Sequence, residues 1–236
     1  MTIIPNTGRP TPAPGEQILP FYIVCDESAS MGMNGGIDAI NTGLPELHAA
    51  IASDPLVNDK ARISLISFSD EAEILVPLSP AADIEELPGM MERGATSYGA
   101  AFRLLKSQIS VDIALLIADG YKVLRPAVFF ISDGEPTDQG SWESDYSDLV
   151  DKSTNPHAPN IIAFGVDKAD PSVISKVATV AAFLATQNVD PGVALKEIMR
   201  SLTVSIVTSS SASNPTLVVP PAPDGTISLS LDTMDE

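Results

Sequence analysis

The chain has 236 residues, 44% apolar and 19% charged, which suffices for one sizeable α/β core but is short for two full domains. Its 13 Lys and Arg against 31 Asp and Glu leave a formal charge of −18, which repels phosphate backbones and anionic lipid head groups, so nucleic acid and membrane surfaces are set aside as partners. The single cysteine, Cys25, rules out an intrachain disulfide and sits inside an apolar run, where a thiol behaves as a small hydrophobe.

Residues 1–18 are rich in Pro, Thr and Gly and lack periodicity, which predicts an extended arm. They carry no apolar h-region of a signal peptide, and no run in the chain approaches the roughly 18 apolar residues of a membrane span. A soluble, cytoplasmic protein is the expectation. From residue 19 short apolar runs alternate with longer stretches of helical period. That pattern predicts an α/β fold of Rossmann-like, doubly wound type, with a mainly parallel sheet and helices on both faces. Strands are predicted over 21–26, 62–69, 127–132, 160–166 and 180–185. The segment 73–78 follows the second strand after a very short turn, which predicts a hairpin and one antiparallel edge strand, and Pro77 suits such an edge.

Helices are predicted over 36–53, 97–118, 143–152, 171–177 and 192–208. In the first, Ile37, Ile40, Leu44, Leu47 and Ile51 recur at three- and four-residue steps and make one buried stripe, with Pro45 predicting a kink or a late start. The methionines, Met91 and Met199 among them, fall in such stripes and read as core packing. After Ser209 the chain turns to Ser, Pro and Asp. Alternation over 226–231 suits a short strand, but Pro220, Pro221 and Pro223 point to a loosely attached segment. The domain is therefore drawn at 19–208, with an acidic flexible tail over 209–236, and deletion of residues 213–236 should change thermal stability by no more than a few degrees, on the scale of about 1 kcal/mol. No internal repeat is present.

The end of the first strand reads Asp26-Glu27-Ser28-Ala29-Ser30-Met31-Gly32, a D-x-S-x-S run. Asp26 and Asp133 both close strongly apolar strands and precede loops. In a doubly wound sheet ligands collect beyond the carboxyl ends of strands at the switch point, where these two carboxylates would converge. Thr96 lies in a Gly94-Ala95-Thr96 loop ahead of a long helix. Mg²⁺ and Mn²⁺ are hard ions that prefer about six oxygen ligands, and serine and threonine hydroxyls are neutral donors of matching hardness. Ser28, Ser30 and Thr96 could then coordinate directly while Asp26 and Asp133 hold waters, leaving the ion electrophilic. Each residue also has a purely structural role open to it: Thr96 suits a helix cap, and Ser28, Ser30 and Asp133 suit turns. His48 and His157 are isolated from other metal-ligand residues, and the chain has no G-x-G-x-x-G, Walker A lysine or G-x-S-x-G.

Asp26-x-Ser28-x-Ser30, Thr96 and Ser132-Asp133-Gly134, in this order and spacing over about 20–208, resemble the metal-ion-dependent adhesion site of von Willebrand factor A domains. The resemblance implies direct coordination by Ser28, Ser30 and Thr96, water-mediated roles for Asp26 and Asp133, and a partner Asp or Glu completing the octahedron. Leu19-Pro20, the stretch 36–41 and Arg125-Pro126 leading into 132–138 are similar to a bacterial subgroup associated with tellurite resistance and stress operons, whose members are linked with a protein kinase and a protein phosphatase. Glu27 departs from the family pattern, where a small or hydroxyl residue is usual; it either alters local charge or faces solvent.

The expectation is a divalent-cation-dependent protein-interaction module, not an enzyme. The enzymatic alternative is a Mg²⁺-dependent phosphoryl hydrolase using Asp26 as nucleophile, although Ser28 occupies the place where that chemistry needs a second acid. An exported adhesin would need a leader that is not visible. Asp232, Asp235 and Glu236 suggest self-association, the tail of one molecule reaching the metal of the next.

Overall fold

Strand β1, Gln17–Asp26, is buried at every position after the first, as a strand covered on both faces must be. In the computed structural model, which describes residues 15–138 and 140–231, it lies at the centre of the sheet. β2 (Ala61–Phe68), β3 (Ala72–Ser79), β5 (Ala127–Ser132), β6 (Asn160–Gly165), β7 (Ala181–Ala185) and β8 (Thr226–Leu229) complete the order β3-β2-β1-β5-β6-β7-β8. A two-residue strand, β4 (Lys122–Val123), extends the sheet beside the start of β1. β1 pairs in parallel with β2 on one side and β5 on the other, so the winding reverses between β1 and β5. The doubly wound, mainly parallel sheet with β3 as an antiparallel edge agrees with expectation. Pro77 sits where the β2–β3 register shifts, at a place where the ladder needs no donor from it.

Alternation along the central strands separates two cores. Phe21, Ile23, Cys25, Phe129 and Ile131 face one layer, against α2 (Gly36–Ala52) and α7 (Pro191–Ser211). Tyr22, Val24, Val128 and Phe130 face the other, against α4 (Tyr98–Ala118), α5 (Trp142–Val150) and α6 (Pro171–Val177). The predicted stripe Ile37, Ile40, Leu44, Leu47 and Ile51 is buried against the first face. The helix starts at Gly36 and runs unbroken through Pro45, so the late start does not occur. Gly43 lets α2 approach α7, since a Cβ there would lie 2.7 Å from Met199 Cγ. Two short helices were not anticipated: α1 (Ala29–Met33) and α3 (Pro55–Lys60), the latter capped by Asp54.

The segment after Ser209, expected as a flexible tail, is built into the fold as far as Leu231. Helix α7 continues to Ser211, Ser205 Oγ donates to Val218 O at 2.6 Å, and Val218 N donates to Ser209 Oγ at 2.9 Å. β8 pairs antiparallel with β7, from Ala185↔Thr226 to Ala182↔Leu229, and makes a second antiparallel edge. The prolines that argued against a strand all precede it, where no ladder N–H is needed, and Gly225 takes the left-handed turn (φ 78°) into the strand. At the other end, Gln17 and Ile18 belong to β1 rather than to an arm. Residues 1–14, and the Asp232, Asp235 and Glu236 invoked for self-association, lie outside the described residues.

Truncation after Ala222 removes β8, bares the β7 edge and uncovers Leu229 and Leu231 from the second core. The expected loss is about 2 kcal/mol, or a fall in Tm of roughly 4–8 °C for a domain of this size. Differential scanning calorimetry of the truncated chain checks this, and an unchanged Tm would return the segment to the status of a tail.

Candidate metal centre

The paired strands β1 and β5 end side by side, with Cys25 opposite Ile131, so the next residues, Asp26 and Ser132, are neighbours. Ser132 Oγ donates to Asp26 Oδ2 at 2.6 Å, and the Ser28 amide donates to Asp26 Oδ1 at 2.8 Å. Ser28 and Ser30 hydroxyls are 3.1 Å apart, and Ser30 Oγ donates to Asp133 Oδ1 at 2.8 Å. Four of the five predicted residues are thus joined in one chain of hydrogen bonds across the switch point.

Thr96 is brought in by its loop. Arg93 N donates to Glu27 O (2.7 Å), Ala29 N to Gly94 O (3.3 Å), Ser97 N to Ser69 O (2.7 Å) and Thr137 N to Thr96 O (2.8 Å). The loop is thereby pinned to the metal loop, to the β2–β3 turn and to the segment after β5. Gly94 leaves room for the Asp70 carboxylate, which a Cβ there would push aside and which accepts from Ala95 N at 3.2 Å. The cap alternative for Thr96 is taken by Ser97, whose hydroxyl accepts from Ala100 N at the start of α4. The Thr96 side chain is left to point elsewhere. A Cβ at Gly134 would lie 3.7 Å from Thr96 Oγ1 and 4.0 Å from Ser30 Oγ, so both hydroxyls border the open space above that glycine.

Asp26, Ser28, Thr96 and Asp133 are all buried, with Asp26 fully enclosed. Burial raises the Asp26 carboxyl from its ordinary 3.8 to about 6, against the opposing hydrogen bonds from Ser132 and Ser28, and the Asp133 charge adds to the rise. Burial likewise raises Asp133, and the nearby Asp167 pushes the same way. Clustered buried carboxylates that resist ionisation, flanked by hydroxyls, are what a hard divalent cation relieves. Among the described residues no three His, Cys, Asp or Glu side chains gather as a metal cage, so an ion has to draw on hydroxyls. The residues present therefore fit Mg²⁺ or Mn²⁺.

The sequence reading missed several participants. Ser132 anchors Asp26. Asn34 Nδ2 donates to Asp133 Oδ2 at 2.5 Å. Asp138 accepts from Ser97 Oγ, Tyr98 N and Gly99 N at the head of α4. Asp167, the sole described non-glycine residue with positive φ (51°), stands just beyond the end of β6. Its placement after an apolar strand was the signal that could have found it. Glu27 does not face solvent; of the two expected alternatives it is the one that alters local charge, since burial, aided by its carboxylate, raises the neighbouring Cys25 thiol. Glu27 is buried, accepts from Met91 N at 3.1 Å and pairs with Arg93 Nε at 3.3 Å, fastening the Thr96 loop to the metal loop. His48 is satisfied by the Ala81 carbonyl at 2.7 Å.

Residues 21–135, which span all five predicted positions, match the family model of the von Willebrand factor type A domain. Among solved structures, proximal thread matrix protein 1 from the mussel byssus aligns with a TM-score of 0.59 and 16% identity over 82% of this chain and 48% of that one. A structure of the same protein with a zinc occupied MIDAS motif aligns with a TM-score of 0.57, 13% identity, and 82% and 49% coverage. The open conformation of the pilus adhesin SpaC from Lactobacillus rhamnosus GG gives 0.60, 14% identity, and 84% and 31% coverage. The chain spans about half the length of the mussel chains and under a third of the adhesin. No curated protein sequence matches. The fold is that of a von Willebrand factor A-type domain, a Rossmann-like variant.

Because Asp26 holds its proton more tightly folded than unfolded, the metal-free protein loses stability as pH rises from about 4 to 6, and the full penalty stands above 6. Asp26→Asn is expected to raise the metal-free Tm at pH 7.5 by about 3 °C or more, on a scale of about 1–3 kcal/mol, and to leave it nearly unchanged at pH 4. Thermal melts in chelator at the two pH values read this directly. A destabilised variant at pH 7.5 would show that the ionised carboxylate is tolerated without an ion.

Proposed function

We propose that this chain, as a von Willebrand factor A-type domain, is a divalent-cation-dependent protein-interaction module. The observation that carries the reading is the convergence of the Ser28, Ser30 and Thr96 hydroxyls with the buried Asp26 and Asp133 carboxylates at the switch point. These five residues would hold Mg²⁺ or Mn²⁺, with Ser132, Asn34 and Glu27 orienting them. When bound, the ion supplies a Lewis-acidic seat for a carboxylate oxygen from an Asp or Glu of the partner, since hydroxyl ligands leave most of its charge uncompensated. The zinc-occupied motif of the mussel protein and the adhesin role in the name of the pilus protein support the same reading.

What favours binding over phosphoryl transfer is the state of Asp26. It is fully buried and both its oxygens accept hydrogen bonds, which blunts a nucleophile. The finer placement, as a cytoplasmic regulatory or assembly component of a bacterial stress system of the tellurite-resistance kind with a kinase or phosphatase as partner, rests on the sequence resemblance. A pull-down with and without chelator, coupled to cell fractionation, tests it.

Thr96→Ala and Ser28→Ala are each expected to weaken Mg²⁺ or Mn²⁺ binding by about 100-fold or more while leaving the fold intact, because both side chains serve the loops rather than the core. Isothermal titration calorimetry and circular dichroism measure the two halves. Wild-type titration curves in both variants would remove the metal site from the account.

A further inference from the structure

Beside the metal centre lies a second feature that the ion does not use. The loop after β5, α5 and α6 enclose an open cleft of about 800 Å³. Its wall begins at Glu135, two residues after Asp133, so the near end of the cleft lies within roughly 7 Å of the Asp133 backbone and borders the metal centre. The floor is aromatic, from Trp142 and Tyr146, and three carboxylates line it: Glu135, Glu143 and Asp170. Lys176 is the one cation among the described lining residues.

The cleft already holds a cation of its own. Lys176 Nζ sits 4.9 Å from the Trp142 ring centroid and 3.3 Å from Glu143 Oε1. This ammonium is on a half-exposed, flexible tether, and its seat is incompletely served. The Glu143 side chain is 38% exposed, but its Oε2 atom is covered and has no hydrogen-bond partner. A buried carboxylate oxygen without a donor is costly, and its presence points to a ligand that brings one. An ammonium is a compact point charge, whereas a guanidinium stacks flat on an indole and presents a planar fork of N–H donors.

We propose that this cleft receives an arginine side chain of the protein partner, which displaces Lys176 from the Trp142 face and donates to Glu143 Oε2. The proposal rests on the interaction-module reading and gives the partner a second recognition element: an acidic residue for the ion, and an arginine close by for the cleft. An anionic or neutral anchor is disfavoured by the three carboxylates, and an apolar one would leave Glu143 Oε2 unserved.

Trp142 is the single tryptophan of the chain, so tryptophan emission reports on this one ring, which borders the cleft and packs into the second core. The full-length protein, in chelator so that no metal contributes, is titrated with N-acetyl-arginine amide, with the lysine analogue and with the neutral citrulline analogue, and calorimetry gives an independent reading. Saturable binding of the arginine probe in the millimolar range is expected, with both analogues weaker. Lys176→Ala, which vacates the ring, should tighten it about three- to fivefold. Glu143→Gln should weaken it by a similar factor. Equal response to the lysine or citrulline probe, no saturable response, or unchanged affinity in Lys176→Ala would each overturn the proposal. Metal binding in Lys176→Ala and arginine binding in Thr96→Ala are measured alongside. Loss of one with retention of the other shows which of the two readings has failed.

Discussion

The pairing of β1 with β5 is the contact on which the rest of this molecule depends. It is the place where the sheet reverses its winding, so it fixes which helices cover which face, and it sets the Asp26 and Asp133 loops side by side. Both strands are apolar on two faces, and their alternation divides the interior into two cores with the aromatic pairs Phe21–Phe129 on one side and Phe68–Phe130 on the other. Offset rings of this kind add directional packing to area burial. A register slip of one residue would exchange the two cores and turn the Asp26 side chain away from Ser132.

The electrostatics of the site follow from that rigidity. A flexible loop would let its carboxylates escape to water, but Asp26 is held by backbone and hydroxyl donors in a dry setting. Hydroxyls satisfy its lone pairs without neutralising it, and Asp133 and Asp167 add like charge nearby. The chain thus holds a concentrated negative charge at the carboxyl ends of its central strands, compensated by protons or by a cation. The Glu27–Arg93 pair serves a different end. It is buried on the Glu27 side and backed by a main-chain bond, so it acts as a fastener between loops rather than as a source of net stability.

Much of this was legible in the sequence, for identifiable reasons. Buried parallel strands announce themselves as continuous apolar runs, and the 127–132 prediction coincides with Ala127–Ser132. The D-x-S-x-S run, Thr96 and Asp133 carry a spacing that the fold converts into proximity. What escaped were features set by contacts between distant segments. β8 was obscured by prolines that belong to its approach, and by a weak pattern, since an edge strand buries only part of its side chains. Asn34 and Asp167 sit on loops whose path no periodicity encodes. The fastening role of Glu27 escaped because its partner Arg93 is remote in the chain and only the loop pairing brings them together.

The long separation between Ser30, Thr96 and Asp133 along the chain bears on folding as well as on binding. Parallel strands pair only after the intervening crossovers have formed, which makes their assembly slow. The donor set does not exist until those pairings are complete, so the unfolded chain would have no comparable affinity for an ion held there. By mass action such an ion would be a thermodynamic lock on the native state, adding stability that grows with the logarithm of its concentration. A lesion far from the site, such as one that loosens β7 from β8, would therefore mimic a metal-binding defect at scarce ion and be rescued at saturating ion, whereas loss of a ligand residue would not.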